Sequence, residues 1–171
     1  SVKPKHIKFH RNYTLLYTLY ALRSTLCSNH VPDIILRNNQ FFMKDVIIIG
    51  AGGHGAEIDE YIRYTQLKTG VKEFHVSGFL DDDPGNYARY KLSAPLLGGL
   101  RDHKVSKDHL YIIGIANLKY RRYFVDKFIA EGAVFASFVH FSAYVSESAV
   151  IGEGSIIGPN ANIGPNVVVG R

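Results

Sequence analysis

Residues 139–171 read VHFSAY, VSESAV, IGEGSI, IGPNAN, IGPNVV and VGR when cut every six residues. Val139, Val145, Ile151, Ile157, Ile163 and Val169 open the six blocks, followed by His140, Ser146, Gly152, Gly158, Gly164 and Gly170. The fifth place holds Ala143, Ala149, Ser155, Ala161 and Val167. An α-helix repeats its face every 3.6 residues and a strand every two, so a strict period of six belongs to neither. It suits a solenoid of short parallel strands, each sending one aliphatic inward. On this reading the glycine or small polar residue after the aliphatic turns the corner, and the small fifth residue fills a narrow interior. Three hexapeptides then make one triangular coil. An ordinary β-rich tail with turns at Gly158-Pro159 and Gly164-Pro165 would have no reason to stay in phase.

Upstream, Val46-Ile47-Ile48-Ile49 is the unbroken β-branched run expected of a parallel strand buried on both faces. Gly50-Ala51-Gly52-Gly53-His54-Gly55 follows it directly. Ile58 and Ile62, with Glu57, Asp59 and Glu60 among the early residues, suit a helix whose positive end faces that loop. Strand, glycine turn and helix give G-x-G-x-x-G its required setting, in which backbone N–H groups approach a phosphate. A second strand, Phe74 to Leu80, ends in Asp81-Asp82-Asp83 at the sheet edge where open α/β folds bind ligands. A third is expected over Leu110 to Ile115. Asn117 then caps a helix that turns Leu118, Phe124, Val125, Phe128 and Ile129 toward the sheet, and Val134 to Phe138 forms a last strand leading into the repeats.

Charge divides the chain. Residues 1–42 carry six basic residues and one acid, Asp33, whereas residues 43–171 carry fourteen of each sign, so the net charge of +5 lies upstream of Met43. The balanced body argues against nucleic acid as a partner. Tyr13 to Leu22 is too short to span a bilayer. The basic flank and apolar run superficially resemble a secretory signal or an organellar presequence. The alternative preferred here takes Met43 as the true start and residues 1–42 as an extraneous or disordered extension. Because the chain opens on Ser1 and stops part-way through a hexapeptide, it is read as a fragment at both ends. Cys27, the only cysteine, lies in the excluded stretch, so the folded part is expected to hold neither disulfide nor thiolate metal site, compatible with a cytoplasmic setting.

Together with the repeats, the stretches IIIGAGGHGAEI, GFLDDDPGN, PLLGGL, IIGIANLKYRR and FVHFSAYVSESAVIG resemble the sialic-acid O-acetyltransferase and UDP-amino-sugar N-acetyltransferase (NeuD/PglD-like) family. The resemblance covers nearly all of residues 43–171. It implies a Rossmann-like sugar-nucleotide-binding domain over 43–138 and the start of a left-handed parallel β-helix over 139–171. It also implies a homotrimer, with acetyl-CoA as co-substrate held between subunits and a nucleotide-linked sugar, of the UDP-amino-sugar kind, as acceptor. By resemblance, Gly52, Gly53 and His54 form the loop over the nucleotide, Asp81 and Asp82 its paired acids, and Asn117 with Arg121 its G-N-x-x-x-R element. Ala116 stands where relatives have glycine. No metal site is expected, and the catalytic histidine is expected C-terminal to Arg171, with His140 structural. Two other readings stay open: a nicotinamide-dependent oxidoreductase with a solenoid tail, in which an acid near the end of the second strand holds ribose hydroxyls, and a non-catalytic sugar-nucleotide-binding trimer.

Overall fold

The computed structural model describes residues 43–171, so the readings placed on residues 1–42 lie outside the described residues. The first part runs β1 (Lys44–Ile49), α1 (Gly53–Thr69), β2 (Phe74–Leu80), α2 (Pro84–Ala88), β3 (Leu96–Gly98), β4 (Leu110–Ile113) and α3 (Leu118–Ala130). The four strands form one parallel sheet in the order β3-β2-β1-β4.

Strand β1 is central, and its side chains alternate between two cores. Val46 and Ile48 face one side with Phe79, Ile112 and the α1 residues Ile58 and Ile62. Ile47 and Ile49 face the other with Leu80, Tyr111, Ile113 and the α3 residues Phe124 and Phe128. The run of four β-branched residues thus serves two layers of helix, which is why it lacks the polar alternation of a half-exposed strand.

Several elements differ from the sequence reading. β3 was not anticipated, because three residues with Leu97 largely exposed carry no periodic signal. β4 ends at Ile113 rather than Ile115. In α3, Phe124 and Phe128 are buried, but Leu118 is 80% exposed and Ile129 lies at the surface, so the inward stripe is narrower than its apolar residues suggest. The expected strand over Val134 to Phe138 reduces to a single parallel bridge from Phe135 to Tyr111, after which Phe138 opens the repeats. Asp59 is no exposed acid favouring the helix dipole. It is buried and accepts the N–H and the hydroxyl of Ser93, fastening α1 to the segment before β3.

The repeats form β5 (Phe138–Val139), β6 (Tyr144–Val145), β7 (Val150–Ile151), β8 (Ile156–Ile157), β9 (Asn162–Ile163) and β10 (Val168–Val169). Each pairs in parallel with the strand eighteen residues away: β5 with β8, β6 with β9 and β7 with β10. All six repeat aliphatics share one apolar cluster with Ala143 and Ala161. Ala136 and Phe138 belong instead to the core of the sheet, so the repeats are packed onto the first part rather than tethered to it.

The turns correct one detail. The left-handed backbone is found at the fourth place of the hexapeptide, at Gly154 (φ 76°), Asn160 (φ 58°) and Asn166 (φ 59°), and not at the glycines of the second place. Gly152 is needed for another reason: a Cβ there would come 2.6 Å from the carbonyl oxygen of Gly170, just after β10, eighteen residues on. Asparagine tolerates the left-handed region because its short amide bonds locally. The N–H groups of Asn160 and Asn166 are received by the hydroxyls of Ser142 and Ser148, eighteen residues earlier, at 3.1 and 3.0 Å.

Candidate functional site

At the carboxyl end of the sheet, β1 gives way to the glycine loop. Gly50 adopts φ 101° and donates its N–H to Leu80. A Cβ on Gly55 would stand 2.1 Å from the Gly50 oxygen, and one on Gly114 would stand 2.8 Å from the Gly55 Cα. Gly50, Gly55 and Gly114 therefore interlock and let α1 approach the ends of β1 and β4 at backbone contact. Gly114 has no place in the sequence motif, because it follows β4, more than fifty residues downstream.

Gly52 differs from these three. Its φ of −79° suits any residue, and a Cβ would meet nothing within 4 Å. The fold does not call for glycine there, although the position faces open space where a ligand could approach the backbone. A Cβ on Gly53 would meet the Tyr90 hydroxyl at 3.2 Å. His54 is partly exposed, and its Nδ1 lies 3.1 Å from the Glu57 carboxylate on its own helix.

The three aspartates after β2 act largely as acceptors for backbone. Asp81 receives the N–H of Ala51 at 2.8 Å on one oxygen, and the N–H of Asp83 at 2.9 Å and the Asn86 amide at 3.3 Å on the other. Asp82 receives the N–H groups of Leu100 at 2.7 Å and Arg101 at 3.3 Å, and its other oxygen lies 3.3 Å from the Arg101 Nε. Asp83 caps α2 through Gly85. A carboxylate offers about four lone-pair sites, so Asp81 and Asp82, with three donors each, keep one apiece. They clasp the glycine loop and the loop after β3 to one point, and they do so with acceptor capacity left.

Between these loops and α3 lies a cleft of about 700 Å³. Gly50, Asp81, Asp82 and Asp83 line one side, Leu100, Arg101 and Ile115 continue it, and Lys119, Tyr120, Tyr123 and Phe124 of α3 form the opposite wall. Of the seven residues singled out by sequence, Asp81 and Asp82 line this cleft. Gly52, Gly53, His54, Asn117 and Arg121 do not. Asn117 caps α3, its side chain accepting the N–H groups of Lys119 at 3.1 Å and Tyr120 at 3.3 Å, and so sets the helix that forms the wall. Arg121 is half-buried. The residues missed are Lys119, Tyr120, Tyr123 and Arg101. The spacing from the Asn117 cap could have found the two tyrosines, since positions three apart share a helix face.

His140 is buried, 4% exposed, and takes no part in the cleft. The rings of Tyr61, Tyr64, Phe138 and Phe141 surround it, and its Nδ1 accepts the N–H of Ser142 at 3.2 Å. Burial lowers its pKa. Among the described residues, no group of histidine, cysteine and acidic side chains is arranged to hold a metal ion, and no helix is long and apolar enough to cross a membrane.

Residues 45–128 match the family described as the PglD N-terminal domain. Among solved structures, the chain is similar to PerB from Caulobacter crescentus, determined with CoA and GDP-perosamine, at 25% identity and a TM-score of 0.57 over 74% of this chain and 57% of that one. It is also similar to the acetyltransferase domain of PglB from Neisseria gonorrhoeae, at 26% identity and a TM-score of 0.59 over 74% and 59%. That domain has likewise been determined with acetyl coenzyme A, and there the similarity covers 75% of this chain and 60% of that one. The chain thus spans less than two thirds of the length of these proteins. No curated protein sequence matches it. Residues 45–128 thus carry the PglD N-terminal domain, and through it the chain resembles the NeuD/PglD-like family.

Proposed function

We propose that the chain is the acceptor-binding part, with the start of the acetyl-donor-binding part, of an acetyltransferase that moves acetyl from acetyl-CoA to an amino or hydroxyl group of a nucleotide-linked sugar or sialic acid. On this reading residues 43–138 are a Rossmann-like sugar-nucleotide domain. Residues 139–171 are the first coils of a left-handed parallel β-helix, which trimerises and takes acetyl-CoA between subunits. The observation that carries it is the pairing of two features in one chain: a glycine-loop cleft at the carboxyl edge of a parallel sheet, and strands that pair at a separation of eighteen residues. The solved structures to which the chain is similar are named for acetyl transfer or hold CoA with a nucleotide sugar.

Within this reading the roles divide. The loop at Gly52, Gly53 and His54 lies over the phosphates. Asp81 and Asp82, with their remaining lone pairs, accept N–H or O–H groups of the nucleoside. Asn117, which also caps α3, and Arg121 on its first turn complete the substrate-binding set. The nucleotide base is uracil or guanine, since PerB holds GDP-perosamine where the motif resemblance points to UDP sugars. With acetyl-CoA and a nucleotide sugar as its substrates, we assign the reaction to the cytoplasm.

In the transfer itself the acceptor's lone pair attacks the thioester carbonyl, a base takes the acceptor's proton, and the CoA thiol leaves. Backbone donors steady the tetrahedral oxyanion. We assign the base to none of the described histidines. His140 is enclosed by four rings, and His54 is joined to Glu57 on the sheet domain rather than on the repeats.

The nicotinamide reading is less well served. It needs the acid at the end of β2 to hold both ribose hydroxyls, whereas Asp81, with three protein donors, keeps a single acceptor site. Calorimetric titration of the chain with UDP, GDP and NAD tests the assignment. Binding of a nucleoside diphosphate in preference to NAD supports it, and tight NAD binding without nucleoside diphosphate binding overturns it. Free-thiol release from acetyl-CoA in the presence of UDP- or GDP-linked amino sugars should stay at background for residues 1–171 alone. Turnover above background would place the base within them.

A further inference from the structure

Two tyrosines with no assigned task face the cleft. Tyr120 and Tyr123 line it from α3 and are 58% and 59% exposed. Large aromatic rings at that exposure hold apolar area against water without return from the fold. Tyr123 is nonetheless positioned, because its ring packs edge-on against Phe124, with centroids 5.1 Å apart, and Phe124 is buried in the core between α3 and the sheet. The Asn117 cap fixes the first turn of the same helix. The wall is thus an aromatic surface on a fixed support, facing carboxylates across an opening of about 700 Å³.

We propose that Tyr120 and Tyr123 form the stacking surface for the nucleobase of the acceptor. The proposal rests on the sugar-nucleotide reading of the cleft and names the residues that hold the base. The chemistry suits a flat heterocycle. One wall offers two exposed aromatic rings, the other offers Asp81 and Asp82, each with one lone pair unspent, so a base can lie against tyrosine while its N–H edge meets an acceptor. A sugar phosphate without a base could use the glycine loop and the cation of Lys119 but would leave the aromatic wall bare. Stacking tolerates any base, because every base has a π face. The tyrosines should therefore set affinity, with discrimination left to the carboxylates.

The test measures binding of GDP, UDP and ribose 5-phosphate to the 171-residue chain and to Tyr120→Ala, Tyr123→Ala and Tyr123→Phe by calorimetry, with thermal unfolding as the control for folding. Base–aromatic stacking is worth about 1–3 kcal/mol by alanine substitution, so GDP and UDP should weaken roughly 5- to 150-fold in the alanine variants. Ribose 5-phosphate should be unchanged, and Tyr123→Phe should bind like the native chain. The proposal is overturned if both alanine variants bind GDP and UDP with native affinity, which would leave the sugar-nucleotide reading standing. It is also overturned if ribose 5-phosphate weakens by the same factor as the nucleotides, since the loss would then be structural. Absence of nucleotide binding by the native chain would overturn the proposal together with the reading beneath it.

Discussion

The carboxylate of Asp81 accepts the backbone N–H of Ala51 at 2.8 Å, across thirty residues of sequence. One side chain at the end of β2 thereby holds the glycine loop that follows β1. The bond is partly buried, and its acceptor is an ion, so it belongs with the stronger protein hydrogen bonds, worth about 1.5–3 kcal/mol. Asp81→Ala should therefore cost about that much in stability and loosen the loop. Denaturant unfolding reads the first effect and a nucleotide titration the second. Asp81→Asn should cost less, because the amide oxygen can still receive one N–H. If Asp81→Ala unfolds at the native midpoint, the clasp contributes nothing.

The glycines of the loop separate into two kinds, and substitution should distinguish them. Gly55→Ala places a methyl group 2.1 Å from the Gly50 oxygen, a distance relieved only by moving α1 off the sheet. Overpacking of this sort costs about 1–3 kcal/mol or more. Gly52→Ala meets no atom and suits its φ, so its stability cost should stay within about 1 kcal/mol, the difference between glycine and alanine at a helix N-cap. Its effect should appear in nucleotide affinity instead. Equal stability losses in the two variants would show that Gly52 serves the fold as Gly55 does.

This contrast also marks what could be read from the chain alone. G-x-G-x-x-G located the loop and the strand-to-helix turn, because close backbone approach requires glycine whatever its purpose. It could not separate Gly55, which packs, from Gly52, which faces open space. Asn117 was legible as a helix cap, and Asp81 and Asp82 as acids at the sheet edge, but the backbone N–H groups that occupy the two acids were not. The wall of the cleft was not legible. Lys119, Tyr120 and Tyr123 are ordinary surface residues of a helix until β4, the Asn117 cap and the loop after β3 bring them opposite the acids. In the repeats, period six pointed to shared interior positions, but the left-handed turn lies at the fourth residue, where serine stands twice, glycine once and asparagine twice, which blurs the signal.

Within the repeats, Gly152→Ala should destabilise, because the new methyl group would sit 2.6 Å from the Gly170 oxygen just after β10. Asn160→Gly should be close to neutral, since glycine adopts φ 58° freely. Asn160→Val should cost about 1–2 kcal/mol, the penalty for a β-substituted residue in the left-handed region. Thermal unfolding of the three variants orders them. A valine at position 160 tolerated as well as glycine would mean that this turn is free to change its backbone.

Stability should fall on mild acidification, and His140 supplies part of the slope. Its pKa is lowered by burial alone, within a ring of Tyr61, Tyr64, Phe138 and Phe141, while Nδ1 accepts the Ser142 N–H. Above the ordinary histidine pKa of about 6.5 both folded and unfolded chains are neutral at this site, and its contribution is complete. As pH drops below that value, the unfolded chain takes up the proton first, so stability declines until pH passes the folded pKa. His103 acts in the same direction, its pKa lowered chiefly by burial and then by Lys127. Urea midpoints measured between pH 8 and pH 5 should therefore decrease, by less in His140→Asn, which keeps an acceptor for Ser142 but cannot titrate, and least when His103 is also replaced. A decline of unchanged steepness in His140→Asn would show that the buried ring gains its proton without cost to the fold.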